Sequence, residues 1–313
     1  VLKVDSIEEL QEEIFGPVLH IATFAAQDID KVVDSINNKG YGLTFGLHTR
    51  VDSRVEQIVN KIAVGNIYVN RNQIGAIVGS QPFGGEGLSG TGPKAGGPHY
   101  VKRFTNSEVG YGSKPFAGQV FSTEALNQMI SKLDSDAWIK ETQREQRLAP
   151  VFAEQLQLLD QLDSEPEQMP GPTGELNLLS QSGRGVVLCL GPYQKNAYMQ
   201  AVTALLQGNS VVIIAQGIAE LLKQCEELGL PVTGCVGQVD PVAITEADGY
   251  TAVCCNGDND SLKTVRRALA VRDGALLPLI TEWDQPERFV IERHLCIDTT
   301  AAGGNASLIA SAG

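Results

Sequence analysis

The sequence predicts an α/β protein, and three observations carry that prediction. Strand-like and helix-like segments alternate through residues 18–70, and a second alternation of the same kind runs through 185–271. Between them, residues 81–98 are so dense in glycine and proline that they can build neither element. At 313 residues, with 42 % hydrophobic and 19 % charged side chains, the chain is long enough for two ordinary domains and rich enough to bury their cores.

The elements follow from periodicity. Apolar Val18, Leu19, Ile21, Ala22 and Phe24 read as a short strand. In 28–38, Ile29, Val32, Val33 and Ile36 recur at helical spacing, and Gly40 stops the helix. Residues 41–49 read as a strand, 52–62 as a helix and 65–70 as a strand, a rhythm that implies a parallel or mixed sheet covered by helices. Leu126, Met129, Ile130 and Leu133 mark one amphipathic helix, and Phe152, Leu156, Leu159 and Leu162 mark another. The prolines and glycines of 165–174 read as a linker. Beyond it, strands are expected at 185–190, 210–215, 252–255 and 294–297, with helices at 197–206, 218–228 and 261–271. The chain opens on Val rather than Met, in what reads as the middle of a strand, so polypeptide is expected to precede it.

Charge and cysteine usage exclude several functions. A net charge of −13 leaves no excess of Lys and Arg to displace counterions from a nucleic acid. The six cysteines form no C-x-x-C pair, keep no metal-ligand spacing with the four histidines, and sit mostly in apolar runs. They read as reduced structural residues of a cytoplasmic protein, and no metal site is expected. No apolar run reaches the roughly 20 residues of a membrane helix, and no signal peptide opens the chain.

Two constellations carry chemistry. In Glu13-Ile-Phe-Gly-Pro17, Gly16 and Pro17 shape a turn that can project Glu13 and Phe15 to one side. A carboxylate can accept two hydrogen bonds from a ribose diol, and an aromatic face can pack on a nicotinamide ring. A plain turn with a solvated Glu and a core Phe explains the pentapeptide equally well. In the second constellation, successive amides at Gly75-Ala76 can grip a carboxylate, and Phe83, between Pro82 and two glycines, can form an apolar wall. Gly85-Glu-Gly-Leu-Ser-Gly90 satisfies a dinucleotide fingerprint, but Pro93 and Gly96-Gly-Pro98 follow where a helix would have to start, so it reads as a decoy. Asn256-Gly-Asp-Asn-Asp260 lacks the spacing and closing Glu of a calcium loop and reads as a turn with an Asp helix cap.

The strings Ile-Gly-Ala-Ile-Val-Gly-Ser-Gln-Pro-Phe-Gly-Gly at 74–85 and Ser-Gly-Thr-Gly-Pro-Lys-Ala-Gly-Gly-Pro-His-Tyr at 89–100, with Gly65-Asn-Ile-Tyr-Val-Asn, resemble the catalytic domain of the aldehyde dehydrogenase superfamily. More narrowly, they resemble the L-glutamate-γ-semialdehyde dehydrogenase part of the bifunctional proline utilization A (PutA) family, over residues 1–112. The resemblance implies that Glu13 holds the nicotinamide-side ribose of NAD and Phe15 packs near the nicotinamide. It further implies that Gly75 and Ala76 anchor the α-carboxylate of L-glutamate γ-semialdehyde and that Phe83 lines its aliphatic chain.

Residues 175–313 carry a second resemblance, to a diverged aldehyde dehydrogenase NAD domain, after a helical connector and linker at 113–174. Gln194 stands where that family has its oxyanion Asn, apolar Ile214 where it has a ribose-binding Lys, and Trp283 and Asp284 replace the glycines after the Glu282 that occupies the general-base position. With no cysteine at the nucleophile position, this copy is expected to be inert. The tail at 294–305 echoes 65–70 and its following loop, and the overall layout resembles the C-terminal domain of long PutA proteins, which implies a non-catalytic domain with a dimerisation-type tail that covers the path between two active sites.

Together these imply a partial aldehyde dehydrogenase catalytic domain followed by a Rossmann-like, dehydrogenase-related domain. The catalytic cysteine would lie in the upstream part of the same polypeptide, so this chain alone is expected to be inactive. FAD would belong only to the proline dehydrogenase part of such a parent, which is absent here. The parent would be cytoplasmic or peripheral to the inner membrane, and a homo-oligomer stays open. Two other readings stand beside this one: a non-catalytic structural or oligomerisation module, and a fragment of an aldehyde dehydrogenase of other specificity.

Overall fold

The computed structural model describes residues 1–90, 92–105, 118–159, 162 and 165–300, which form two compact units. The first comprises Val1–Tyr100, Glu167–Leu179 and the chain from Arg293 onward; the second comprises Val101–Pro166 and Ser180–Glu292.

In the first unit, β1 (Leu2–Lys3) pairs in parallel with β2 (His20–Ile21), so the strand expected at 18–24 contracts to two residues. Helix α1 (Ile29–Asn38) follows, ending near Gly40, whose φ of 76° suits a residue without Cβ. The strand expected at 41–49 divides into β3 (Tyr41–Gly42) and β4 (Thr44–Leu47), because β3 pairs antiparallel with β6 (Glu86–Gly87) whereas β4 pairs in parallel with β5 (Asn66–Val69). Helix α2 (Asp52–Val59) joins β4 to β5.

The main sheet of this unit has the order β4-β5-β16-β9-β8, where β8 is Glu167–Met169, β9 is Glu175–Gly183 and β16 is Val290–Asp298. The segment expected to be a linker at 165–174 therefore contains an edge strand, antiparallel to β9. Strand β16 lies parallel to β5, setting His294 beside Asn66 and Cys296 beside Tyr68. The period-2 pleat then separates two chemistries. Ile67, Val69, Leu176, Leu295 and Ile297 face one way, into a core with Val33, Ile58 and Ile62 of the helical layer. Asn66, Tyr68, His294, Cys296, Glu175 and Asn177 take the alternate positions.

The second unit is a parallel sheet of order β12-β11-β10-β14-β15, from β10 (Val186–Cys189), β11 (Ser210–Ala215), β12 (Val232–Val236), β14 (Ala252–Cys254) and β15 (Leu279–Ile280). Its central strands are buried on both faces, which explains their unbroken apolar runs. Helix α6 (Gln194–Leu206) and α5 (Arg144–Leu156) pack on one face. Helix α3 (Thr123–Ile130), α8 (Pro241–Glu246) and α9 (Asn259–Ala270) pack on the other. Helices α4 (Ser135–Ile139) and α7 (Ala219–Glu227) and a parallel pair of β7 (Val120–Phe121) with β13 (Gln238–Val239) also belong to this unit. The helix expected at 152–162 starts earlier, at Arg144, and bends at Phe152 just after its internal Pro150, which cannot donate to the preceding turn. Asp258 caps α9 by accepting from Ser261 N at 2.9 Å, as the cluster at 256–260 predicts.

Candidate functional site

The polar face of the first unit's sheet is roofed by residues 71–90 and 92–97, and a small set of side chains fixes that roof. Asn66 donates from Nδ2 to Pro82 O at 2.9 Å and accepts from Gly84 N at 3.0 Å. Lys94, only 2 % exposed, drives its ammonium to Gly65 O (2.7 Å), Asn66 Oδ1 (3.1 Å) and Gly84 O (2.5 Å). A buried ammonium has three donors to satisfy, and here all three converge on the turn. Gly65 permits the approach: a Cβ there would stand 1.9 Å from Gly84 O. Sequence reasoning missed Lys94, because a lone Lys in a glycine-rich loop reads as solvated.

The next anchor is Gln81. Its Nε2 donates to Glu175 Oε1 at 3.1 Å, while its Oε1 accepts from Ile77 N at 3.0 Å. Arg71 pairs with Glu175 and lies 5.5 Å above the centre of the Tyr68 ring. Between these groups sits Cys296, 3.1 Å from Glu175 Oε1. His294 is fully buried beside Lys94 and Arg71; desolvation first, then those two positive charges, push its pKa down to about 4, so the imidazole is neutral.

On this frame the expected substrate residues are placed as follows. Gly75 and Ala76 lie on the outward part of the loop, next to Ile74 at 92 % exposure, and their backbone N–H groups make no hydrogen bond to any described residue. Space around Gly75 is open. Phe83 is half-buried, held by a two-way bridge with Ala95 (3.0 and 2.8 Å). Gly75-Ala76 and Phe83 thus belong to one loop, anchored after Ala76 by Gln81 and around Phe83 by Asn66 with Lys94. The expected cofactor residues belong to a separate segment. Glu13 is exposed and without a partner among the described residues, and Phe15 is 94 % exposed; no hydrogen bond among the described residues ties either to the roof. Gly16 holds φ at 130°, which shapes the turn beside them.

The second unit places its expected vestiges inside structure. Ile214 is buried in the core, Gln194 opens α6, and the Glu282 carboxylate pairs with Arg288 and with the Thr281 hydroxyl. Both carboxylate oxygens of Glu282 are thus engaged within the protein. The six cysteines are free thiols, and burial raises each of their pKa values, to about 12 for Cys225 and Cys235 and about 11 for Cys296. None is a thiolate at neutral pH. Among the described residues no cluster of His, Cys, Asp and Glu could hold a metal, and no helix is long and apolar enough to cross a membrane. The tail at 301–313, including part of the expected echo, lies outside the described residues.

Comparison with known proteins follows the same division. Residues 4–109 match the aldehyde dehydrogenase family. The chain is 37 % identical to the bifunctional protein PutA of Klebsiella aerogenes over 97 % of its own length and 23 % of that protein. It is 51 % identical over 92 residues to 1-pyrroline-5-carboxylate dehydrogenase 1 of Halalkalibacterium halodurans, covering 29 % of this chain and 18 % of the relative. Among solved structures, Proline Utilization A (PutA) from Corynebacterium freiburgense shares the fold over 91 % of this chain and 25 % of its own, with a TM-score of 0.52 at 19 % identity. The chain spans about a quarter of the length of the PutA relatives it matches.

Proposed function

We propose, for a chain whose residues 4–109 belong to the aldehyde dehydrogenase family, that it is part of an NAD-dependent L-glutamate γ-semialdehyde dehydrogenase of proline catabolism. The observation that carries this reading is the pair of amides at Gly75 and Ala76, unpartnered and outward on a loop whose base is fixed by Gln81, Asn66 and Lys94. A fixed pair of donors is suited to a substrate carboxylate, because little ordering remains for binding to supply. Phe83, half-buried on the same loop, suits the substrate's methylene chain. Glu13 and Phe15, exposed and uncommitted, fit the ribose and ring of the nicotinamide side of NAD. NAD⁺ held by Glu13 and Phe15 would supply the hydride acceptor for the oxidation. These side chains bind and orient; the nucleophile is expected from another segment, since every thiol here is held protonated.

The second unit takes a non-catalytic role in this reading, as a lid or assembly domain, supported by the Glu282–Arg288 pairing and the apolar Ile214. The test is complementation. The chain alone should form no NADH from the semialdehyde, and addition of a separately produced upstream segment should restore activity; activity of the isolated chain would refute the division of labour. In the restored enzyme, Ala76→Pro removes one anchoring amide, so KM for the semialdehyde should rise about tenfold or more while propionaldehyde oxidation is unaffected. Equal losses for both aldehydes would remove the carboxylate anchor from the mechanism.

A further inference from the structure

The second unit contains a cavity of about 400 Å³, within the size range of small-molecule sites. Its position has a topological cause. The chain runs from β10 outward through β11 to β12, then returns to the other side of β10 as β14, all in parallel. Ligand crevices of open parallel sheets form at such a reversal, beyond the carboxyl ends of the strands. The cavity lies there, lined by Leu190 and Pro192 after β10, Ile214 and Ala215 at the end of β11, and Cys255 and Asp258 after β14.

The lining is selective in its chemistry. Leu190, Ile214, Val239, Ile244 and Val265 give apolar walls, and among the described residues no Lys, Arg or His lines the space. Two of the helix N-termini beside it carry acidic caps: Asp240 accepts from Val242 N in α8 and Asp258 from Ser261 N in α9, each at 2.9 Å. These two donors are not offered to an anion, and the caps place carboxylates where an anion would have to sit. The two lining hydroxyls also donate within the protein, Ser261 to Asp258 at 2.6 Å and Thr264 to Asp260 O at 2.8 Å, leaving lone pairs for a ligand. Asp260 itself is 93 % exposed at the rim, with Lys263 3.8 Å away outside the lining. Gln238 contributes a neutral amide.

We propose that this cavity binds a small amphipathic amine, with an apolar ring-sized body against the Ile214–Ile244–Val265 walls and a protonated amine at the Asp258–Asp260 side, and that it rejects phosphates and carboxylates. The assignment does not depend on the dehydrogenase reading of the first unit.

Three indoles of equal body and different head group test it by calorimetry on the full 313-residue chain. Tryptamine should bind at least about tenfold tighter than indole-3-propionate, with uncharged indole between them. Neither NAD⁺ nor inorganic pyrophosphate should displace tryptamine. Thr264→Trp, which fills the cavity, should abolish binding. Asp260→Asn, an exposed change with no packing role, should reduce the preference for tryptamine over the propionate several-fold. The proposal is overturned if the propionate matches tryptamine, if NAD⁺ or pyrophosphate competes, if Thr264→Trp leaves binding intact, if the preference is unchanged in Asp260→Asn, or if no indole binds at millimolar concentration.

Discussion

The two units solve the same problem, a sheet with two faces to cover, in opposite ways. The second unit covers both faces with aliphatic helices, so Val187, Leu188, Val211, Val212 and Ile213 are all fully buried. The first does so on one face only; on the other it buries Asn66, Tyr68, His294 and Cys296 under a polar roof. Apolar burial is non-directional and tolerates many sequences, whereas a buried polar network is stable only when its donors and acceptors meet in one arrangement. The difference teaches where positional precision resides. The first unit uses directional bonds because a loop has to be held in place; the second gains a core, with a cavity at the carboxyl ends of its strands.

The most forceful way to break this contrast is to make a cavity in the second unit. Leu188→Ala should lower its stability by about 3 kcal/mol, measured by chemical denaturation, with amide protection lost first in β10 and β11. A loss below about 1 kcal/mol would show that the core is not close-packed. Lys94→Met tests the polar roof. It leaves Gly65 O, Gly84 O and Asn66 Oδ1 without their shared donor and should cost about 2–3 kcal/mol, with amide protection lost at Phe83, Gly84 and Ala95. Methionine is the more apolar residue, so a stabilising result would mean the roof is not organised by the ammonium.

His294 sharpens the contrast through pH. Its folded pKa of about 4 lies below the ordinary 6.5, so between these values the unfolded chain binds more protons. Stability from this residue is complete above about pH 6.5, falls as pH drops toward 4, and changes no further below that. The loss should be on the order of 3 kcal/mol, and His294→Gln should flatten the slope in that window. An unchanged slope would place the imidazole in contact with solvent. The smallest effect is local: Asp134→Ala removes the cap that accepts from Ala137 N at 3.0 Å and should cost about 1 kcal/mol by thermal melting.

Much of the fold was legible where local pattern suffices. Helix α1 follows from Ile29, Val33 and Ile36, and β10 and β11 from unbroken apolar runs that only a doubly covered strand tolerates. Strand β9 was not legible, because Glu175-Leu-Asn-Leu-Leu-Ser follows a run of prolines and glycines and becomes a strand through distant partners. The shift of α5 has a similar origin: its first turn, Arg144 to Arg147, is polar and carries no apolar stripe. At the candidate site, glycine spacing drew attention to Gly75, Ala76 and Phe83, but nothing local marks Lys94, Gln81 or Glu175 as their support. Those roles arise from contacts such as Gln81–Glu175, 94 positions apart.

Strand β16 carries a consequence for how the protein is made. Arg71 meets Cys296 across 225 positions, and the strand bearing Cys296 sits between β5 and β9. At ribosomal rates of roughly 5–20 residues per second, β5 would wait on the order of ten seconds or more for its neighbour. Until then its row of amides and carbonyls is an open template for a passing chain. Vectorial synthesis thus gives the nascent molecule an interval of vulnerability, closed only when β16 slides home.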